Sequence, residues 1–163
     1  MIRLRLAART GYGAPMTDQI PFWRRKTLQE MTKAEWESLC DGCGKCCLIK
    51  LVDEDSGEVD YTDVVCHLLD TDTCRCTNYK KRNQLVPSCV ILSVDTLEHL
   101  PWMPTTCAYR LLHEGKDLAW WHPLVSGDRN TVHAAAASVR HRVIPENLVE
   151  DEDLEDHIVD WPK

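Results

Sequence analysis

A chain of 163 residues with a formal charge of −7 and a pI near 5.4 is sized for one domain, or one domain with tails. It lacks the broad basic surface that phosphate-backbone binding needs, so no nucleic acid partner is expected. Hydrophobic residues make up 44% and charged residues 28%, the balance of a globular protein with a modest core, and no apolar run approaches the roughly 18 residues of a membrane span.

Nine cysteines stand out against this background. The N-terminus has neither the continuous apolar core nor the cleavage site of a secretory signal, so a reducing, cytoplasmic setting is expected. There, clustered cysteines serve metals or redox chemistry more often than disulfides, and an odd total fits a closed disulfide framework poorly.

Residues 1–20 read as a weakly ordered arm, with Arg3, Arg5 and Arg9 and no acid before Asp18. An organellar transit peptide has this character; the preferred alternative takes Met16 as the initiator. Residues 21–146 form the cysteine-cluster domain, opened by Phe22 and Trp23 as core anchors. Thr32-Lys33-Ala34-Glu35 is a capping box that starts a short helix and turns Trp36 and Leu39 inward. That helix delivers Cys40. Leu48 to Asp53 reads as a strand, Asp55-Ser56-Gly57 as a turn, and Glu58 to Thr62 as the return strand of a hairpin. Asp70 to Thr73 is a second polar turn. Asn78 to Gln84 predicts a helical turn ended by Val86-Pro87; its basic run, Tyr79 to Arg82, reads as a solvated face.

Ser93 caps a short helix that closes before Pro101. Thr105 or Thr106 caps the next, with Cys107, Leu111 and Leu112 on its buried side and Gly115 at its stop. Trp120 to Gly127 reads as an aromatic loop. Val132 to Val143 is ambiguous between helix and strand. Residues 147–163 are an acidic C-terminal tail, with a short exposed helix near Leu154 to Trp161 as the alternative. The expected fold class is α+β: a small, loop-rich, metal-stapled single domain with short helices and a β-hairpin.

Four of the nine cysteines fall within Cys40-Asp41-Gly42-Cys43-Gly44-Lys45-Cys46-Cys47. The two-residue gap between Cys40 and Cys43 lets both sulfurs meet one ion, as in zinc knuckles. Gly42 and Gly44 permit the left-handed backbone of such a loop. Adjacent side chains diverge, so Cys46 and Cys47 suit two sites, or one polynuclear site, better than one tetrahedral ion. Eight cysteines would fill two four-thiolate sites and leave one over. All-sulfur ligation suits zinc and iron–sulfur clusters alike, so the cofactor stands as zinc or iron.

Cys40-x-x-Cys43-x-x-Cys46-Cys47, Cys66-His67-Leu68-Leu69, Cys74-x-Cys76-x-x-Tyr79, and Arg82 before Cys89 resemble the CxxCxxCC (YkgJ-like) family of zinc- or iron-chelating domains. Leu39 to Leu48, Pro104 to Arg110, and Trp121 to Gly127 are similar to its YcgN-like bacterial subgroup. The likeness spans roughly Pro21 to Glu146. It implies a bacterial cytosolic metal-binding protein with Cys40, Cys43, Cys46, Cys47, Cys66, Cys76 and Cys89 as metal ligands from the general pattern. Cys107 is added from the subgroup pattern. Cys74 has the weakest claim and reads as a free buried thiol.

Three functions stay open at this stage. The first is metal binding, structural or in metal handling. The second is an iron–sulfur protein serving as a redox or methyl-transfer accessory. The third is a zinc-stabilised module presenting Trp120, Trp121 and the acidic tail to a protein partner. No single thiol is marked as a nucleophile among nine, so no catalytic residue is assigned. His67 and His122 read as surface or core histidines ahead of ligands or bases.

Overall fold

The computed structural model describes residues 20–161; the expected N-terminal arm up to residue 19 and the Met16 start lie outside them. Pro21 opens α1 (Phe22–Arg25), whose Phe22 and Trp23 stack edge to face and lean on the helical core. A single 3₁₀ turn follows at Leu28–Glu30. The predicted capping box then starts α2 (Lys33–Ser38). The Glu35 amide donates to Thr32 Oγ1 at 3.3 Å, and the Thr32 amide donates to the Glu35 carboxylate at 2.8 Å. Leu39, just past α2, is fully buried.

The predicted hairpin forms from β1 (Leu48–Val52) and β2 (Val59–Val65), pairing Leu48 with Val65 and Val52 with Val59. Asp53 Oδ1 gathers the amides of Asp55 and Ser56 to make the turn. A second, smaller hairpin joins β3 (Leu69–Asp70) to β4 (Arg75–Cys76). Its turn is tied in the same way by Asp70 Oδ1. A 3₁₀ turn at Tyr79–Lys81 leads into α3 (Arg82–Leu85), which stops at Val86 before Pro87. Ser93 caps α4 (Val94–Leu97) through the Thr96 amide.

Three local expectations change. Neither Thr105 nor Thr106 caps α5 (Ala108–His113). Cys107 occupies the N-cap position, and Thr106 Oγ1 accepts instead from Lys45 Nζ at 3.3 Å. The aromatic loop contains a helix, α6 (Pro123–Ser126). His122 Nδ1 caps it by accepting the Leu124 amide, and Pro123 sits at its first position, where a missing N–H costs nothing. From Val132 to Val143 neither alternative extends through. Helix α7 (Thr131–Ala134) ends early, Ala136 and His141 take positive φ, and a non-repetitive strap leads to β5 (Ile144–Pro145). β5 then pairs parallel to β2.

Beyond Glu146 the chain returns to β2. A 3₁₀ segment at Asp151–His157 carries exposed acids, and His157 Nδ1 lies 2.7 Å from Asp63. Ile158 bridges Thr62. Trp161 is buried, its indole N–H donating to the Thr62 carbonyl at 2.9 Å. The result is a small mixed α and β fold. Among the described residues no helix is long and apolar enough to cross a membrane.

Three packed clusters make the core. Leu28, Leu39, Leu97, Met103, Tyr109 and Leu118 form the helical one. Leu48, Val65, Leu69, Cys74, Val139 and Trp161 back the strands. Cys43, Trp121, Val132 and Ala137 form the third. Leu39, Cys43 and Leu48 belong to different clusters, so the intervening cysteine loop is pinned where all three meet.

Candidate metal centre

The loop from Cys40 to Cys47 is shaped by its own residues. Asp41 Oδ1 accepts the Cys43 amide at 2.9 Å, an Asx turn that folds the backbone around the first sulfurs. Gly42 and Gly44 adopt φ of +80° and +78°, the left-handed region that L side chains rarely enter. A Cβ on Gly44 would stand 2.7 Å from Val139 Cγ2. Position 44 is therefore closed sterically as well as conformationally. The Val139 amide donates to the Cys43 carbonyl at 2.8 Å and roofs the loop. A 3₁₀ turn at Lys45–Cys47 then leads into β1.

All nine cysteines are free thiols. Cys46 and Cys47 place their sulfurs 4.0 Å apart. Donation from Cys47 draws the Cys46 pKa down to about 7, with Lys50 helping. Cys47, as donor and by burial, is pushed well up. The other thiols show who faces whom. Crowding by protein atoms pushes Cys40 up to about 11, with Cys46 and Asp41 adding repulsion. Burial pushes Cys43 well above its ordinary value, followed by Asp41, Cys46 and Cys107. Burial takes Cys107 to about 12, opposed by the Arg110 and Tyr109 amides and reinforced by Cys46 and Asp41.

The later cysteines interact in the same manner. After its donation and burial, Cys47 is raised by the charges of Cys46, Cys66 and Cys89. Burial raises Cys66, with Glu146, Cys89 and Cys76 adding to it. Burial raises Cys89 against the pull of Arg82, and Cys46 and Cys76 push the same way. Cys40, Cys43 and Cys107 each feel the charges of Cys46 and Asp41, Cys47 feels those of Cys46, Cys66 and Cys89, and Cys89 feels those of Cys46 and Cys76, so the influences overlap along the loop. Cys74 stands apart. It is buried behind Gly44 at φ +52°, and its thiol, raised by burial, answers to Arg140, Arg75 and Asp70.

The strands and helices deliver the later cysteines. β2 runs directly into Cys66, whose amide donates to the Cys47 carbonyl at 3.0 Å. The small hairpin presents Cys76 opposite Leu69, and the turn after α3 brings Cys89. The start of α5 supplies Cys107.

Asp41, Lys45, Lys50 and Glu146 join the site without having been singled out by the sequence. Asp41 is buried beside four cysteines, and its Oδ2 has no hydrogen-bond partner among the described residues. Lys45 is 1% exposed. Burial lowers its pKa while Cys43 and Asp41 hold it up. Lys50 stacks over Tyr61 and Trp102 and donates to the Cys46 and Leu48 carbonyls. Buried cations beside thiolates offset the excess negative charge of a four-thiolate metal site. A lysine inside a glycine- and cysteine-rich loop reads as solvent-exposed in sequence, and no local pattern marks it otherwise. The Asp-Gly pair after Cys40 was the one available hint for Asp41.

Two histidines resolve differently. His122 is buried, lies 3.0 Å from the Leu39 carbonyl through Nε2, and caps α6 with Nδ1. Both nitrogens are therefore committed to backbone groups, one beside Cys40 and one at the start of α6. His67 lies on the surface with Nδ1 2.5 Å from Glu146 Oε1. The ligand atoms of Cys66, His67 and Glu146 all lie within 4.8 Å of one another. Glu146 also accepts the His67 amide, so it has a structural role there as well.

The donor chemistry fits a thiophilic metal. Soft sulfur donors lie along and around the Cys40–Cys47 loop, beside a buried, half-satisfied carboxylate and the buried Lys45 ammonium group. This is the chemistry of a chelating domain, and comparison with known proteins agrees. Residues 39–108 match the CxxCxxCC family model, described as a "putative zinc- or iron-chelating domain". A UPF0260 protein of Parvibaculum lavamentivorans is 60% identical over 148 residues, covering 90% of this chain and 97% of the relative. UPF0260 proteins of Rhizobium leguminosarum bv. trifolii (57% identical over 145 residues, 89% and 91% covered) and Marinobacter nauticus (58% over 146 residues, 90% and 99% covered) are similar. The chain belongs to the UPF0260 family. No solved structure matches it.

Proposed function

We propose that this protein binds zinc or iron through two thiolate groups, Cys40–Cys43–Cys46–Cys107 and Cys47–Cys66–Cys76–Cys89, with Cys74 outside the ligand set. The observation that carries this reading is the way the cysteines act on one another. Cys46 acts on Cys40, Cys43 and Cys107, while Cys66 and Cys89 act on Cys47, and Cys66 in turn feels Cys76 and Cys89. A diverging adjacent pair is then a junction between sites rather than two ligands strained onto one ion. Cys74 is raised chiefly by burial, and the charges that act on it are those of Arg140, Arg75 and Asp70 rather than thiolates.

Metal binding by unpaired thiols fits a reducing cytoplasm. The iron–sulfur alternative rests on donor type alone. The interaction-module alternative retains Trp120, which is 69% exposed, but loses Trp121, which is buried. Metal stoichiometry with a visible spectrum on anaerobically purified protein tests the reading. About two metals per chain are expected from two four-thiolate groups. A colourless zinc protein removes the redox alternative, and a brown protein with thiolate-to-iron absorption supports it. A protein that binds neither metal overturns the proposal.

A further inference from the structure

We propose that the cavity walled by His133, Ser138, Arg140, His141 and Arg142 is a binding site for a small oxyanion, a phosphate or carboxylate group carried on a small molecule. The cavity holds about 430 Å³ and its lining includes two arginines, two histidines and a serine, with no acid. The whole chain carries a charge of −7, so this cationic concavity runs against the composition. Its volume falls in the range of about 300–1,000 Å³ typical of small-molecule sites.

Two observations point to an absent ligand rather than to packing. First, Arg140 Nε is buried and has no hydrogen-bond partner among the described residues. An unpaired buried guanidinium N–H is costly, and an oxyanion is the partner its planar fork recognises best. Second, the backbone around the cavity departs from ordinary geometry. Ala136 and His141, both in the lining, take φ of +54° and +58°, and Cys74, near Arg140, takes +52°. These are the positive-φ non-glycine residues of the described chain. Such conformations persist where the surroundings impose them, and they collect at binding sites.

The wall is held in place without Arg140. Arg142 donates to the Ala136 and Ser138 carbonyls and stacks over Trp161 at 4.6 Å. His133 Nδ1 lies 2.7 Å from Ser138 Oγ, and His141 Nε2 lies 2.9 Å from Asp72. Arg142 therefore shapes the cavity, and the Arg140 guanidinium, also in the lining, is the group that meets the anion. This inference stands apart from the metal reading, since none of these residues is a proposed ligand. The two regions do touch, through the Val139 amide on the Cys43 carbonyl.

The test is calorimetric titration of the full metal-loaded chain with inorganic phosphate and, separately, with succinate. Saturable binding with a Kd of about 1 mM or tighter is expected for one of them, with Arg140→Gln weakening it by about tenfold or more. Metal content and far-UV CD of the variant should match wild type. Should Arg140→Gln fail to fold, a shift of one arginine Nε–H resonance in wild-type protein on adding the anion reads the same contact. Binding of phosphate alone assigns the site to phosphate groups, and binding of succinate alone assigns it to carboxylates. No saturable binding of either anion, or equal binding by Arg140→Gln, overturns the proposal.

Discussion

At the scale of the residue, the cysteines are not equivalent. Cys43 is buried at the centre of the loop, faced by Asp41, Cys46 and Cys107, and roofed by Val139. Cys74 is buried among apolar side chains behind the loop. Cys43→Ser is expected to lose bound metal, while Cys74→Ser keeps full stoichiometry; elemental analysis of both variants checks this, and the reverse pattern refutes the ligand set. Gly44 supplies a second contrast. Gly44→Ala meets a left-handed backbone and a stiff, buried valine methyl at 2.7 Å. Gly57→Ala meets the same kind of backbone with nothing within 4 Å. The Gly57 variant should lose about 1 kcal/mol from backbone conformation alone. The Gly44 variant should lose at least a further 1–3 kcal/mol, roughly, from overpacking. Denaturant unfolding of the two proteins measures the difference.

At the scale of the element, short segments stand because their ends are tied. Helix α2 has six residues, too few to persist on propensity, and its start depends on Thr32 and Glu35. Thr32→Ala should cost about 1 kcal/mol, read from the denaturant midpoint. Glu35 adds a pH signature. Lys26 first, then the Thr32 amide, hold its carboxyl at about 2 against an ordinary 4.5. A depressed acid stabilises fully above its unfolded value, so this contribution is intact above about pH 4.5 and drains as pH falls through about 2. Glu35→Gln should accordingly flatten the acid side of the stability profile.

These ends were legible in sequence because capping boxes and Asx turns are local. Thr32 with Glu35, Ser93 with Thr96, and the Asp53 and Asp70 turns all fall where the residues put them. The hairpin was legible in its two segments and the Asp55-Ser56-Gly57 turn between them, though not in its register, which shifts between Leu48 and Lys50. What failed was set by distant partners. Thr106 left its capping role for Lys45, and the strap after Ala134 takes its shape from Cys43 and Trp161. The cysteine inventory could be read off directly. Which cysteines face one another could not, because that depends on where β2, the small hairpin and α5 end in space.

At the scale of the molecule, three small clusters share the work of one core, and each includes a residue of the cysteine loop or its immediate flank. A structural thiolate site contributes about 10–16 kcal/mol, comparable with the whole net stability of a domain, about 5–15 kcal/mol. Chelation under reducing conditions is therefore expected to collapse the fold. Near- and far-UV CD after verified metal removal checks this, and unchanged spectra refute it. The Val139 amide on the Cys43 carbonyl has a consequence in time. As the chain is synthesised, the cysteine loop emerges early and its roof emerges far downstream. A nascent chain that has exposed Cys40 to Cys47 but not Val139 holds open, nucleophilic sulfur with nothing folded over it. In the interval between those two moments, Cys43 lacks the cover that the finished fold gives it and is open to oxidants and to any thiophilic metal.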